Sequence, residues 1–467
     1  IDEFQDTSLF QWENLKPLIE NSLADYKSSV LLAGDPKQSI YRWRGGHPEQ
    51  FIKIINGEAS SLFTSDVIDL PINYRSSKAI VDFNNKFFSC VSEAVFSDQA
   101  YKEIYKNSFQ EFNRDEQGLV EISFLNSDGD NDQLQTYESM VLSIITDLVG
   151  SKNNISYEDI CILVRKQSEG VSIAKHLTAN NVPIVSNQSL LVSSSKEVIF
   201  IIAVFKLITI PSNQSNKLQI LNYLVDKFKI EEAHEFIDAR IQMNNKKFFN
   251  SFRNLGIYFN CEEISMLSIY ESAELVINSF GLVARSNAYI ESFLNFIFES
   301  SRGKCASLNS FLLYFDQHKE KLSISTTKGV NAVQVMTVHK SKGLEFPVLI
   351  FPYADLDIYK EIEPKEWMPT SALNSKFPYF LLNYNKDFEF FGDLAKDYSR
   401  RRKSLLELDN INLLYVALTR PSHQLYIITK APKNDSPSIL RTYSDLFVHF
   451  LKGEGLWKTG VYKYSFG

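Results

Sequence analysis

The stretch VLLAGDPKQSIYRWRGG, residues 30–46, carries the clearest indication of the fold. Its apolar run Val30 to Ala33 is typical of a buried strand, and the following Gly34-Asp35-Pro36 is typical of a tight loop. Upstream, Ser8 to Asp25 has the spacing of a helix. A helix, a short apolar strand and a loop in succession are the pattern of an α/β protein.

The same pattern continues downstream and is interrupted once. Strands are predicted at Val67 to Leu70, Leu119 to Phe124, Ile160 to Val164, Ala332 to Val338, Val348 to Phe351 and Leu425 to Thr429. Helices are predicted at Ser77 to Phe88, Glu138 to Leu148, Ser172 to Ala179 and Tyr398 to Thr419. Between about 209 and 328 the spacing is helical and strand signals nearly vanish. Short, continuously apolar strands favour a covered, mostly parallel sheet.

A sheet that stops and resumes indicates one domain inserted in another. We expect residues 1–66 to be the C-terminal part of a first α/β lobe, and 67–208 with 329–435 to form a second lobe. Residues 209–328 would be the helical insertion and 436–467 a C-terminal extension.

Composition sets the broad class of protein. The chain has 467 residues, of which 44% are hydrophobic and 22% charged, so several globular domains are expected. It has no long uncharged apolar run and no signal-peptide pattern, which predicts a cytoplasmic protein. Its four cysteines form no C-x-x-C pair, which argues against a disulfide framework or a zinc site. The net charge of −7 gives no overall attraction for nucleic acid, so any DNA binding must rest on local basic and aromatic residues.

The adjacent carboxylates Asp2 and Glu3 are a candidate catalytic pair. One carboxylate can hold Mg²⁺, directly or through water, while the other orients or deprotonates an attacking water. We assign Asp2 to the metal and Glu3 to the water. An acidic pair alone is as readily an exposed turn, and only its context favours the catalytic interpretation.

That context is a series of motifs in a fixed order. The arrangement DEFQDT (2–7) and GDPKQSIYRWRG (34–45) resembles motifs II and III of UvrD/RecB-type superfamily 1 helicases. LPINYRSSKAIVDFNN (70–85), VMTVHKSKGLEF (335–346) and LLYVALTRP (413–421) are similar to motifs IV, V and VI. The resemblance implies two RecA-like parallel-sheet lobes, the first one truncated, with a mainly helical domain inserted in the second. It also implies ATP and Mg²⁺ as cofactors and DNA as partner.

The resemblance assigns roles on the nucleotide side. Gln38 would sense the terminal phosphate and couple it to DNA, although its position also suits a polar turn residue. Arg75 and Arg420 would contact the γ-phosphate when the lobes close, whereas each alone could be a surface or salt-bridge residue. Tyr74 would stack on adenine and Glu345 would meet the ribose, beside Gly343.

The resemblance also assigns residues to single-stranded DNA. Tyr41, Trp43 and Arg44 form an aromatic and basic cluster in a loop, where bases can stack and a guanidinium can hold phosphate. Packed aromatic residues are the alternative. The run His339, Lys340 and Ser341 would place cations, a hydroxyl and backbone amides beside a DNA phosphate, or would be a solvated basic loop.

The chain also departs from the family pattern. No stretch has the phosphate-loop form G-x-x-x-x-G-K-[ST], which we attribute to the sequence being an excerpt that begins at motif II. Asn410 and Asn412 stand where relatives often have charged residues, and Pro421 follows Arg420 where alanine is more usual.

The leading hypothesis is an ATP-dependent DNA helicase or translocase of repair or recombination, with 3′→5′ polarity implied by the resemblance, acting on single strands and duplex junctions. The excerpt alone is expected to be inactive. One alternative is a non-catalytic DNA-binding scaffold in a repair complex. Another is the helicase part of a helicase-nuclease, whose partner would be a nuclease domain or a repair subunit.

Overall fold

A computed structural model describes the greater part of the chain. The described residues are 1–24, 28–57, 66–106, 108–114, 116–125, 136–150, 155–186, 191–282, 287–301, 307–319, 322, 331–361, 364–369, 377–385, 387–431 and 440–467. The chain divides into two compact units, Ile1–Ile184 with Asn331–Gly467, and Val185–Val330.

The first unit contains both helices and strands. One further strand, Ile184–Ser186, lies at the boundary between the two units. In chain order up to that boundary its elements are α1 (Leu9–Leu23), α2 (Pro48–Ile55), β1 (Ile72–Ser77), α3 (Lys78–Val95), α4 (Gln99–Lys106), β2 (Glu111–Arg114), β3 (Leu119–Leu125), α5 (Tyr137–Gly150), β4 (Ile160–Val164), α6 (Gln167–Ala179) and the boundary strand β5 (Ile184–Ser186). The second unit contains α7 (Lys196–Thr209), α8 (Gln214–Phe228), α9 (Ala233–Ile241), α10 (Asn245–Asn250), α11 (Ile269–Ser279), α12 (Ala288–Ser301) and α13 (Leu308–His318). The first unit then resumes with β6 (Val333–Thr337), α14 (Val338–Ser341), β7 (Phe346–Phe351), β8 (Lys365–Pro369), β9 (Tyr379–Asn383), α15 (Asp393–Leu418), β10 (Pro421–Lys430), α16 (Tyr443–Gly453) and β11 (Lys463–Phe466).

The main sheet has seven strands in the order β11-β3-β10-β7-β4-β6-β5. The pairings β3-β10, β10-β7, β7-β4 and β4-β6 are parallel, and the edge strand β11 runs antiparallel to β3. This mostly parallel sheet with its many helices confirms the predicted α/β fold class and is consistent with RecA-like lobes.

The centre of the sheet is apolar on both faces. All five residues of β4 (ICILV) are buried, as expected for a strand that is covered by helices on each side. One face packs against α3, α15 and α16, where Phe87 stacks on both Phe83 and Phe447. The opposite face packs against α5 and α6.

Two predicted strands are absent at their predicted positions. Val30 to Ala33 forms no strand, and Leu31 is 77% exposed. The segment is extended and exchanges backbone hydrogen bonds with Ile1 and Phe4, which is too little pairing for a ladder. Val67 to Leu70 is also irregular, because the strand begins later, at Ile72.

Apart from the boundary strand β5, the regular elements of the second unit are helices among its described residues, in agreement with the helical spacing of the sequence. Its core is rich in phenylalanine, including Phe205, Phe248 and Phe293, all fully buried. Helix α7 belongs to this core, although the sequence placed the insertion from 209 onward. The apolar run of α7 is as continuous as that of a buried lobe helix, so composition does not reveal the boundary. No helix among the described residues is long and apolar enough to span a membrane.

Candidate functional site

The acidic segment at the start of the chain is held by hydrogen bonds and an ion pair. Glu3 has a φ of 51°, a left-handed conformation that costs energy for a residue with a side chain. Its carboxylate accepts from Gln5 Nε2 at 2.6 Å and pairs with Lys342 Nζ at 3.1 Å. Asp2 is exposed and accepts from the Glu3 amide at 2.9 Å. Asp6 is the second partner of Lys342, and burial raises the pKa of its carboxyl despite that cation.

The turn that carries Gln38 packs directly on this acidic segment. Gly34 allows the close approach, because a Cβ there would lie 2.3 Å from Gln5 Oε1. Asp35 caps the turn by accepting from the Lys37 amide at 3.0 Å, and it pairs with Lys37 Nζ at 2.8 Å. Burial opposes the ionisation of Asp35, but Lys37 and a hydrogen bond from the Gln38 amide outweigh it and lower the pKa of Asp35.

A cleft of about 350 Å³ opens beside this turn. It is lined by Gln38, Asn73, Tyr74, Arg75, Gln110, Glu345, Tyr415, Thr419 and Arg420. The structure therefore brings together five residues that the sequence assigned to the nucleotide: Gln38, Tyr74, Arg75, Glu345 and Arg420. Gly343 lies in the left-handed region, with a φ of +82°, and turns the chain toward Glu345.

Arg420 is a buried cation that lines this cleft. Only 1% of the residue is exposed, and its guanidinium donates to the carbonyls of Val416 and Leu344 and to the hydroxyl of Thr419. Among the described residues no carboxylate lies within ion-pair distance of it. Burial and the neighbouring cation of Arg75 lower the pKa of Arg420 to about 10. A desolvated cation of this kind favours an anionic ligand in the cleft.

Arg75 and Tyr74 are more accessible than Arg420. Arg75 Nε donates to Glu345 Oε2 at 3.1 Å and its Nη1 to the carbonyl of Thr419 at 3.3 Å. Glu345 is largely exposed, so this pair can open at little cost. Tyr74 is 63% exposed, which leaves its ring face available for stacking.

A second cluster combines exposed aromatic rings with cations. Trp43 is 67% exposed and lies 6.2 Å from the ring of Tyr41 and 6.3 Å from the ring of His339. The guanidinium of Arg44 lies 4.7 Å from the Trp43 ring. Arg165, which was not predicted, follows β4 and contacts His339 Nδ1 at 3.5 Å. Burial and Arg165 together lower the pKa of His339 to about 4, so the imidazole is neutral at pH 7.

The two arginines of RWR differ in environment. Arg42 is paired with Asp409 Oδ1 at 2.8 Å and with Glu49 Oε1 at 2.7 Å, which joins this loop to α15. Arg44 has no carboxylate partner within the described residues and remains beside the exposed rings.

The structure separates the residues of the basic run. Lys340 is exposed, as a phosphate contact requires. Ser341 is fully buried, and its hydroxyl donates to the carbonyl of Val338 at 2.8 Å, which contradicts a hydroxyl contact with DNA. Lys342 also turns inward: its side chain is 7% exposed and donates to the Gln38 carbonyl at 2.8 Å. The short helix α14 alternates outward and inward positions, which the sequence run alone does not reveal.

The segment 338–345 connects the two groups of residues. Strands β6 and β7 both run parallel to β4, which lies between them. The segment therefore leaves the carboxyl end of β6 at His339 and reaches the amino end of β7 after Glu345. His339 belongs to the aromatic cluster and Glu345 to the cleft. The aromatic cluster therefore lies at the carboxyl ends of these parallel strands, and the cleft lies at their amino ends.

Comparison with known proteins identifies the family. A family model described as the UvrD-like helicase C-terminal domain matches residues 68–324 and 246–431, and one described as the UvrD/REP helicase N-terminal domain matches residues 1–57. Similar curated proteins include an ATP-dependent helicase/nuclease subunit of Staphylococcus epidermidis, 23% identical over 100% of this chain and 42% of the relative. Another is the RecB subunit of the RecBCD enzyme of Buchnera aphidicola, 25% identical over 94% of this chain and 38% of the relative.

A further relative, the corresponding ATP-dependent helicase/nuclease subunit of Staphylococcus aureus, is 24% identical over 93% of this chain and 39% of its own length. The chain thus spans about two fifths of the length of these relatives. The two matches to the C-terminal domain model together extend over more than half of the chain. The chain belongs to the UvrD-like helicase family.

Proposed function

We propose that the protein is an ATP-dependent DNA helicase or translocase that acts in DNA repair or recombination. The observation that carries this proposal is the cleft that Gln38 lines together with the buried Arg420, which has no carboxylate partner among the described residues. A triphosphate supplies the anionic charge that this guanidinium lacks. Family membership supports the same activity.

ATP and Mg²⁺ are the proposed cofactors. Tyr74 would stack on the base, Glu345 would meet the ribose, and Arg75 with Arg420 would neutralise charge on the terminal phosphate. The exposed carboxylate of Asp2 fits a hard cation that takes oxygen ligands and keeps several waters, and Mg²⁺ there would offset charge on the phosphates. Glu3 would then orient the attacking water once its contact with Lys342 is released.

Single-stranded DNA is the proposed partner of the aromatic cluster. Bases would stack on Trp43 and Tyr41, while Arg44, Arg165 and the exposed Lys340 would meet phosphates. Movement would be 3′→5′ by family resemblance, which predicts unwinding of a duplex with a 3′ tail and not of one with a 5′ tail.

Two further assignments are part of the proposal. The names of the relatives favour the helicase part of a helicase-nuclease over a non-catalytic scaffold, and its partner in the cytoplasm would be a nuclease domain or a repair subunit. We also propose that 1–66 belongs to a first lobe, 67–208 and 329–435 to a second, and 436–467 to an extension. The inserted helical domain would correspond to the compact unit Val185–Val330 rather than to 209–328 alone.

Substitution of Glu3 by Gln in the full-length protein tests the assignment. ATP turnover in the presence of single-stranded DNA should fall by at least about a hundredfold, because the water loses its orienting carboxylate. DNA affinity, measured by fluorescence anisotropy, should change less than twofold. Glu13→Gln in the exposed face of α1 is the matched control and should keep full turnover. Retained turnover in Glu3→Gln would contradict the proposed role.

A further inference from the structure

Asn412 lies in the middle of α15 and is fully buried. Its side-chain amide donates two hydrogen bonds to the backbone, one to the carbonyl of Pro36 at 2.9 Å and one to the carbonyl of Ser39 at 3.0 Å. These carbonyls flank Lys37 and Gln38 on both sides. The amide therefore holds the Gln38 turn at two points, and both of its N–H groups are used.

Tyr105 on α4 supplies the third hydrogen-bond partner of this amide. Its hydroxyl donates to Asn412 Oδ1 at 2.7 Å. Backbone carbonyls accept only, so the nitrogen must face the turn and the oxygen must face the hydroxyl. Burial keeps Tyr105 neutral by raising the pKa of its phenol well above the usual value. The amide thus has three partners, and exchange of its N and O positions would break both hydrogen bonds to the turn.

The helix that carries Asn412 also lines the cleft. Tyr415 of α15, and Thr419 and Arg420 directly after it, are cleft residues. Gln38 lines the same cleft. A displacement of α15 along its axis must therefore move Arg420 and, at the same time, the carbonyls of Pro36 and Ser39 on either side of Gln38.

We propose that Asn412, supported by a hydrogen bond from Tyr105, is a positioning residue that sets Gln38 in the cleft and ties the Gln38 turn to the movement of α15. This rests on the proposed function, since it assigns regulation of the same site. A neutral amide performs this task at a position where the family resemblance leads one to expect a charged side chain. It can donate twice in a space that is closed to solvent, without the cost of burying a charge.

The test compares ATP turnover of variants of the full-length protein with saturating single-stranded DNA. Asn412→Asp has almost the same shape but replaces the donating nitrogen by an accepting oxygen, and we expect its kcat to fall at least tenfold while KM for ATP changes less than twofold. Tyr105→Phe, which removes only the hydroxyl that donates to Asn412, should lose about threefold in kcat. The matched control is Asn410→Leu, because Asn410 donates to Ile358 and Leu406 carbonyls, away from the turn, and it should retain the parent values.

A combination with Gln38→Ala separates positioning from a merely structural role. If Asn412 acts through Gln38, adding Asn412→Asp to Gln38→Ala should cost less than a further twofold in kcat. A full additional tenfold loss, an equal loss in Asn410→Leu, or an unaltered Asn412→Asp would overturn the proposal.

Failure of the proposed function would be recognised separately, because the parent protein itself would then show no DNA-stimulated ATP hydrolysis. In that case backbone amide exchange decides the positioning role. Asn412→Asp should speed exchange of the Gln38 and Ser39 amides at least tenfold, and Asn410→Leu should not; unchanged exchange in Asn412→Asp overturns it.

Discussion

Replacement of Lys342 by Met would remove the cation that lies between the acidic segment and the Gln38 turn. The ammonium group contacts Asp6, Glu3 and the carbonyl of Gln38, and the lysine side chain is 7% exposed. Breaking a fully buried ion pair costs about 3–5 kcal/mol, whereas an exposed pair contributes less than about 1 kcal/mol. The Asp6 side chain is 20% exposed, so its pair lies between these limits, at about 2–3 kcal/mol.

The other two contacts of Lys342 add little. Glu3 is 51% exposed and is solvated when the pair breaks, and the Gln38 carbonyl loses one hydrogen bond. We therefore expect Lys342→Met to lower the free energy of unfolding by about 3 kcal/mol, which corresponds to a fall of roughly 6 °C in Tm for a unit of this size. Differential scanning fluorimetry at pH 7 measures that shift.

The pH dependence and a second substitution sharpen this prediction. The pKa of Asp6 is raised in the folded protein by burial, and loss of Lys342 should raise it further. A raised carboxyl pKa means that stability is gained as pH falls, so the deficit of Lys342→Met should shrink toward pH 4. Asp6→Asn should recover at least about 1 kcal/mol in the Lys342→Met background at pH 7. Strictly additive losses in the double variant would refute the assumed coupling.

Three further predictions concern other residues of the site. Trp43→Ala should weaken the binding of single-stranded DNA by about 1–3 kcal/mol for the lost base stack, measured by anisotropy titration at fixed salt. Its Tm should not change, because the Trp43 ring is exposed. Arg420→Lys should lower DNA-stimulated ATP turnover by about a thousandfold or more, since an ammonium group cannot reproduce the planar guanidinium; turnover within tenfold of the parent would contradict its role. The pKa of His339 is lowered to about 4, so folding favours its neutral form. Stability from this group is complete above about pH 6.5 and is lost as pH falls toward 4, and His339→Gln should flatten that part of a Tm-against-pH curve.

The sequence was most informative where short motifs follow or precede buried strands. Strand β4 was predicted at its observed bounds, and Arg75, Glu345 and Arg420 share a cleft as the motif resemblance implied. An apolar run is a weaker guide, because Val30 to Ala33 has the composition of a strand but too few backbone partners to form one.

The direction of individual side chains could not be predicted. In the run HKSK, residues 339–342, Lys340 is exposed and Ser341 is buried within one turn of α14. Four consecutive polar residues do not indicate which of their side chains face the solvent. The partners of Asn412 are also hidden, since Pro36 and Ser39 lie far away along the chain. From the motif alone this asparagine was only a departure from the family pattern, and its function as a donor to the turn depends on tertiary packing.

The crossing of the sheet by residues 338–345 has a consequence for genetics. One short stretch supplies a ring to the aromatic cluster at one edge and a carboxylate to the cleft at the other. Under the proposed assignments, a substitution that shifts the backbone of this stretch should alter nucleotide and DNA parameters in the same variant. On the same assignments, such a change would couple the affinity for single-stranded DNA to the turnover of ATP. Trp43 lies only in the aromatic cluster and Tyr74 only in the cleft. Substitutions at these two positions could change DNA affinity or ATP turnover separately.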